Sequence, residues 1–221
     1  MEIYLVRHGT TEWNVKHMIQ GRSDTELNEA GREMARQTGM KFISDGLAFD
    51  FIYSSPLQRA FETASLLSPG SDIITDDRLL ELSFGPFEGK IVEDMLSDQD
   101  CAFRFFKSAP HIYNKLVADM NDPSLETLTR LIERASDFLI DKIEPLASTD
   151  KKILISGHGA LNKGLMMHIR GENDLSLFWG DDLQSNCGIT RIIRDTKEYR
   201  ICDSNITLYD PSLNARIKKL L

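Results

Sequence analysis

The 221-residue sequence predicts an α/β fold: a three-layer α/β/α sandwich with a mostly parallel central sheet and a helical insertion capping one edge. Three observations carry this expectation. Strand-length runs such as Lys152-Ile153-Leu154-Ile155-Ser156 are nearly continuous in apolar residues, the pattern of strands buried on both faces. Amphipathic helical stretches alternate with those runs, which is the order of a sheet covered by helices. The alternation breaks once, over 91–122, where an irregular helical pattern carries Phe103, Phe105, Phe106 and Tyr113.

In chain order, residues 2–6 form the first strand. Asn28 is placed to cap a helix running to about Asp45, with Gly46 as its stop. Phe51-Ile52-Tyr53 is the second strand, and Pro56 suits the first turn of a helix reaching Leu67. Ile73-Ile74 predicts a third strand, followed by a loop from Glu81 to Gly89. The insertion leads to a long helix from Ser124 to about Ile143, ended near Pro145. After strand 152–156, Gly157-His158-Gly159 opens another helix. Strands follow at 188–194 and 199–203, then a tail containing Lys218-Lys219. No repeat or linker divides the chain, so 1–221 is expected to be one domain with its insertion at about 91–122.

A net charge of −8 disfavours general binding to nucleic acid or acidic membranes, since the far field repels polyanions. A small anion answers instead to a local cluster of arginines. Cys101, Cys187 and Cys202 are scattered without a CxxC pair, which suits reduced thiols. No apolar run approaches the roughly 18 residues of a membrane span. The chain opens almost directly in a strand, and a cytoplasmic location is expected.

In open α/β sheets, ligands bind beyond the carboxyl ends of the strands. Three such ends carry chemistry here. The first strand runs into Arg7-His8-Gly9, and strand 152–156 runs into Gly157-His158-Gly159. The second runs into Ser54-Ser55-Pro56-Leu57-Gln58-Arg59, which places Arg59 on the following helix. Alone, Arg7-His8-Gly9 reads equally well as a strand end facing water; the other two ends favour a site. Guanidinium groups match phosphoryl oxygens and stay charged, a neutral imidazole can attack phosphorus, and the helix N-termini after Gly9, Pro56 and Gly159 could add N–H donors.

These segments resemble the histidine phosphatase superfamily, in the branch around cofactor-dependent phosphoglycerate mutase. The resemblance rests on Leu5-Val6-Arg7-His8-Gly9-Thr10-Thr11-Glu12-Trp13-Asn14 and on Gln20-Gly21-Arg22-Ser23-Asp24. It extends through Tyr53 to Ala60 with Glu62-Thr63-Ala64, Leu80 to Gly89, and Ser156-Gly157-His158-Gly159, in the family's order. The resemblance implies His8 as a nucleophile forming phosphohistidine, with Arg7, Arg59 and His158 on the phosphoryl oxygens. It makes Glu81 the proton donor, expected to start protonated in a partly dry pocket near Phe84 and Phe87. Asn14, Gln20, Gly21 and Gly159 would line the substrate site. His8 is expected to donate its other nitrogen to a nearby backbone carbonyl, which would fix the tautomer. No metal and no cofactor is implied.

Two departures bear on the reaction. Where mutases carry Gly-Glu-Ser before the long helix, this sequence reads Ser124-Leu125-Glu126-Thr127, and the tandem arginines of mutases have no counterpart in 91–122. Fewer anchors for a second anionic group favour hydrolysis of a small phosphorylated metabolite. Mutase activity and a non-catalytic phosphate-binding role are the alternatives, with monomer and homodimer both open. The aromatics at 103–106 are expected to pack, Arg104 and Lys107 to face solvent, and His17, His111 and His168 to be structural or exposed. Asn186-Cys187-Gly188-Ile189-Thr190 resembles a late segment near the pocket. Asp181-Asp182 lacks the companions of a metal site.

Overall fold

Parity along the strands sets the layers. The computed structural model describes residues 1–180 and 183–214. Among them, six strands form one sheet: β1 Glu2–Arg7, β2 Phe51–Ser54, β3 Ile74–Thr75, β4 Lys152–Gly157, β5 Ile189–Arg194 and β6 Tyr199–Ile206. Their spatial order is β3-β2-β4-β1-β5-β6. The first four run parallel, β5 lies antiparallel to β1, and β6 antiparallel to β5. Ile3, Leu5, Ile153 and Ile155 face one core, whereas Val6 and Leu154 face the other. That is the two-residue alternation of a sheet buried on both sides.

The helices are α1 Glu12–Val15, α2 Glu29–Ser44, α3 Gln58–Leu67, α4 Val92–Ser97, α5 Phe105–Ser108, α6 Pro110–Met120, α7 Leu128–Phe138 and α8 Gly159–Arg170. Phe42 of α2 and Leu67 of α3 pack on the face of Val6 and Leu154. Phe138 of α7 and Leu161 and Leu165 of α8 cover the opposite face. The sheet is therefore flanked by helices on both sides, as expected. Asn28 caps α2 by accepting from Gly31 N–H, and Gly46 follows with a positive φ of 68°.

Several boundaries differ from expectation, among them the end of β6, which runs on to Ile206. Pro56 lies ahead of α3, because the helix begins at Gln58, whose N–H is capped by Asp24 Oδ1 at 2.8 Å from a distant loop. The helix expected from Ser124 starts at Leu128 behind the Thr127 cap. Residues 122–126 are held otherwise: Asp122 accepts from Ser124 N–H, and Glu126 N–H donates to Ser83. The far end of that helix passes into a π-type turn over Leu139–Ile143. β3 also begins one residue later than predicted. Asp181-Asp182 and Lys218-Lys219 lie outside the described residues, and no helix among those described is long and apolar enough to cross a membrane.

Register levels the strand ends. Arg7 pairs with Gly157 across β1 and β4, and Ser54 pairs with Ser156 across β2 and β4. The residues that follow, His8, His158 and the turn into α3, thus emerge on one rim. Phe84 of the loop after β3 and Phe103 and Phe106 of the 91–122 stretch line the cavity at this rim, with ring centroids 5.1–5.8 Å apart.

Candidate active site

The first turn beyond β1 is shaped by contact. A Cβ on Gly9 would sit 2.6 Å from the Gly31 carbonyl oxygen, so only glycine lets the chain pass this close to α2. Gly9 N–H donates to Thr63 Oγ1 at 3.0 Å, and His8 N–H donates to the Gly157 carbonyl at 3.0 Å. From the far side, Asn186 Nδ2 donates to the His8 carbonyl at 3.0 Å. The backbone beneath His8 is thereby held from three directions.

The ring is oriented as well. His8 Nδ1 lies 2.7 Å from the Gly9 carbonyl oxygen, which can only accept. The Nδ1–H tautomer follows, leaving the lone pair on Nε2. His8 is only 3% exposed. Burial, then Arg59 and Arg7, hold its pKa well below the ordinary histidine value, so the ring stays neutral. His158 is fully buried, its ring centroid 5.2 Å from that of His8, and its pKa is lowered by burial first, then by Arg59 and His8.

Two buried histidines with lowered pKa values make stability depend on acid. Each binds fewer protons folded than unfolded, so their contribution is intact above the unfolded value near 6.5 and is lost as pH falls below it. Each group can remove at most about 1.4 kcal/mol per pH unit below that value, so acid should destabilise the fold. Urea midpoints measured from pH 7.5 to 5.5 should fall accordingly, and His158→Asn should flatten the fall. An identical slope in that variant would place the acid sensitivity elsewhere.

Two arginines flank the imidazoles. Arg7 Nη1 donates to the Gln184 carbonyl at 2.7 Å. Arg59 is fully buried on α3 and donates to the carbonyls of Ser23 at 2.8 Å and Gly21 at 2.7 Å. The buried Nε atoms of both arginines and both ring nitrogens of His158 have no hydrogen-bond partner among the described residues. Buried polar atoms normally find partners. Such a group of donors around a neutral imidazole fits an anion with several oxygens.

Glu81 faces this group from the loop after β3. Its Oε1 accepts from Leu82 N–H and Leu161 N–H, each at 2.9 Å, and Oε2 accepts from Ala160 N–H at 3.1 Å. Backbone donors at the N-terminus of α8 therefore contact it, in place of the expected aromatic pocket. Phe84 lines the same cavity, but Phe87 packs with Phe103 in the core. Some N–H groups at the helix ends are already engaged: those of Ala160 and Leu161 in α8 serve Glu81, and that of Gln58 in α3 serves Asp24.

Arg7, His8, Asn14, Gln20, Gly21, Arg59, Glu81 and Gly159 line one cavity of about 460 Å³, and His158 lies buried beside it. A Cβ on Gly159 would crowd Leu183 Cδ1 at 3.0 Å and stand in ordinary contact with Glu81 Oε2 and Arg7 Nε, at 3.7 and 3.8 Å. Thr11 donates to Gln20 Oε1 at 2.9 Å, and Thr11 N–H to Asn14 Oδ1 at 3.1 Å. The amide nitrogens of Asn14 and Gln20 are then the ends suited to donate to an anion. Gly21 has φ +54°, and a Cβ there would overlap the Glu88 carboxylate, which accepts from Arg22, Ser23 and Phe84 N–H and ties the two loops together.

Several contributors escaped sequence reasoning. Gln184 supports the site from a position with no signal of its own, and Glu88 and Thr63 support it from segments that carry the resemblance without being given a role. Asn186 was signalled only by its segment. His17, expected to be structural or exposed, lines the cavity, as does Lys107. Arg104 does not; it stacks over Phe105 and donates to the Gln99 carbonyl. Among the described residues, no group of three or more His, Cys, Asp or Glu side chains is placed to hold a metal ion.

Comparison with known proteins gives a consistent picture. A family model described as histidine phosphatase superfamily (branch 1) matches residues 3–207. A Hydrogenobacter thermophilus protein provisionally named phosphoserine phosphatase 2 is 33% identical over 192 residues, covering 86% of this chain and 88% of its own. The 2,3-bisphosphoglycerate-dependent phosphoglycerate mutase of Methylobacterium sp. is 30% identical over 174 residues, covering 76% and 80%. Among solved structures, Bacillus stearothermophilus YhfR superposes with a TM-score of 0.81 at 27% identity, over 95% of this chain and 99% of that one.

Proposed function

The chain belongs to the histidine phosphatase superfamily, branch 1, and on that premise we propose that it is a phosphatase of small phosphomonoesters acting through phosphohistidine on His8. The observation that carries this reading is the His8 tautomer: Nδ1–H is committed to Gly9, which leaves the lone pair on Nε2, in a ring that has Arg7, Arg59 and His158 as neighbours. In the first half-reaction, the Nε2 lone pair forms an N–P bond while the P–O bond to the alcohol breaks. The departing oxygen takes a proton from Glu81. Oε1 already accepts two N–H groups and Oε2 only one, so the proton belongs on Oε2.

In the second half-reaction, water gives that proton back to Glu81 as its oxygen bonds phosphorus. The N–P electron pair then returns to His8, releasing phosphate. Splitting the displacement in two lowers each barrier. The two arginines stabilise the charge spread over the transferring oxygens.

The cavity wall supports hydrolysis over mutase action. Beyond Arg7 and Arg59, Lys107 is the one Lys or Arg among its described lining residues, and Val92, Leu96, Phe103, Phe106 and Trp179 make the wall apolar. A mutase must hold a second anionic group while its phosphoenzyme waits. This wall suits an alcohol with an apolar body and at most one further negative charge. The phosphoserine phosphatase and phosphoglycerate mutase names of the relatives keep both chemistries in the test.

Phosphate release from p-nitrophenyl phosphate and from a panel of phosphorylated metabolites, assayed in EDTA, is the direct measurement. Hydrolysis should persist in EDTA, and 3-phosphoglycerate should not be isomerised when primed with its bisphosphate. Primed isomerisation with little free phosphate would establish the mutase instead. Phosphate binding without turnover would leave a non-catalytic role.

A further inference from the structure

We infer that Arg134 and Glu126, which do not line the substrate cavity, act as a positioning pair for Glu81 by clamping the backbone of its loop; this rests on Glu81 being the proton donor. Arg134 projects from α7 and uses all five of its N–H donors. Nη1 donates to the carbonyls of Arg78 at 2.7 Å and Leu80 at 2.6 Å, and Nη2 to that of Glu81 at 3.1 Å. Its Nε and Nη2 also grip both Glu126 carboxylate oxygens, at 2.7 and 2.9 Å. The planar fork of arginine makes this set possible, and a lysine ammonium offers three donors at one point.

Glu126 completes the clamp on the other side of the loop. Its Oε2 accepts from Ser83 N–H at 3.2 Å, and its own N–H donates to the Ser83 carbonyl at 3.0 Å. Arg22, next to the cavity-lining Gly21, adds Nε to the Glu81 carbonyl at 3.4 Å and an ion pair with Glu126 at 3.3 Å. The side chains of Arg134 and Glu126 are 15% and 10% exposed. Glu81 is therefore fixed at both ends. Its carboxyl is held by α8 and its carbonyl by α7, so α7 and α8 together aim Oε2 at the leaving oxygen. An ion pair this sheltered gives little net stability against apolar packing of similar volume, and the backbone geometry it imposes is its distinctive product.

A leaving-group comparison separates this role from general support of the fold. p-Nitrophenolate departs without a proton near neutral pH, whereas the alkoxide of benzyl phosphate requires one, and both alcohols carry an aromatic ring. General acid catalysis contributes about 10²–10⁴-fold. Arg134→Ala should therefore lower kcat/KM, which reports transfer to His8 and not the later hydrolysis shared by both esters, by about 100-fold for benzyl phosphate and by less than about fivefold for p-nitrophenyl phosphate. Arg134→Lys should not restore it. The double variant Glu81→Gln/Arg134→Ala should match Glu81→Gln within about twofold on both substrates, as expected when two groups act as one unit.

Equal losses on both esters, or losses that multiply in the double variant, would overturn the inference. Should Arg134→Ala not fold, Glu126→Gln carries the same comparison, with about tenfold selectivity expected and a uniform loss overturning it. If Glu81→Gln itself lowers kcat/KM for both esters alike, Glu81 is not the acid and the pair has nothing to position. If wild type releases phosphate from neither ester, the phosphatase reading fails first and this inference falls with it.

Discussion

His8→Ala should slow phosphate release from p-nitrophenyl phosphate by at least about 10⁴-fold, while the protein stays folded and still binds phosphate. Loss of the nucleophile removes the covalent route altogether, and no neighbour can replace it. His158 is the closest imidazole, with its ring centroid 5.2 Å away, but it is fully buried and neither of its ring nitrogens has a partner among the described residues that would fix a tautomer for attack. The structural loss is confined to one hydrogen bond to Gly9 and the cavity left by the ring, and the backbone bonds at residues 8 and 9 remain. Such a bond contributes about 1 kcal/mol. Wild-type enzyme quenched during turnover should carry acid-labile, base-stable phosphate, absent from His8→Ala. Turnover within tenfold of wild type would assign the nucleophile elsewhere.

Much of this site was legible because strand ends declare themselves locally. An apolar run ending in Arg7-His8-Gly9 and another ending in Gly157-His158-Gly159 place two imidazoles on one rim as soon as their strands are taken as parallel neighbours. The β1–β4 register meets that condition. Glu81 was visible in its loop, yet its surroundings were not. Its partners are the N–H groups of residues 160 and 161, and a backbone N–H carries no sequence signal. Phe84 and Phe87 are therefore expected around Glu81 from sequence, whereas the groups that contact its carboxyl are backbone N–H donors of a helix terminus. Gln184 escaped for a related reason: its carbonyl, not its side-chain chemistry, receives Arg7. The late start of α7 has the same origin, since residues 122–126 have an amphipathic pattern but spend their hydrogen bonds on the Glu81 loop.

Arg59→Met should lower kcat/KM for p-nitrophenyl phosphate by at least about 10³-fold with a change in stability of no more than about 2 kcal/mol. The catalytic expectation follows from position. A permanent cation whose buried Nε has no partner among the described residues is aimed at charge that develops during transfer. The stability expectation follows from two opposed effects. Burial draws the Arg59 pKa down to about 10, with Glu81, Asp24 and Glu88 only partly offsetting it, so removing the charge relieves a desolvation cost. Against this stand the two bonds to the Gly21 and Ser23 carbonyls, at 2.7 and 2.8 Å, which methionine cannot make. Thermal melts with and without inorganic phosphate distinguish the roles. Wild type should melt higher with phosphate, by linkage, and Arg59→Met should not respond. A variant that melts about 15 °C lower, yet turns over normally in its folded fraction, would make Arg59 a brace for the Gly21 loop and leave Arg7 and His158 to hold the phosphoryl group.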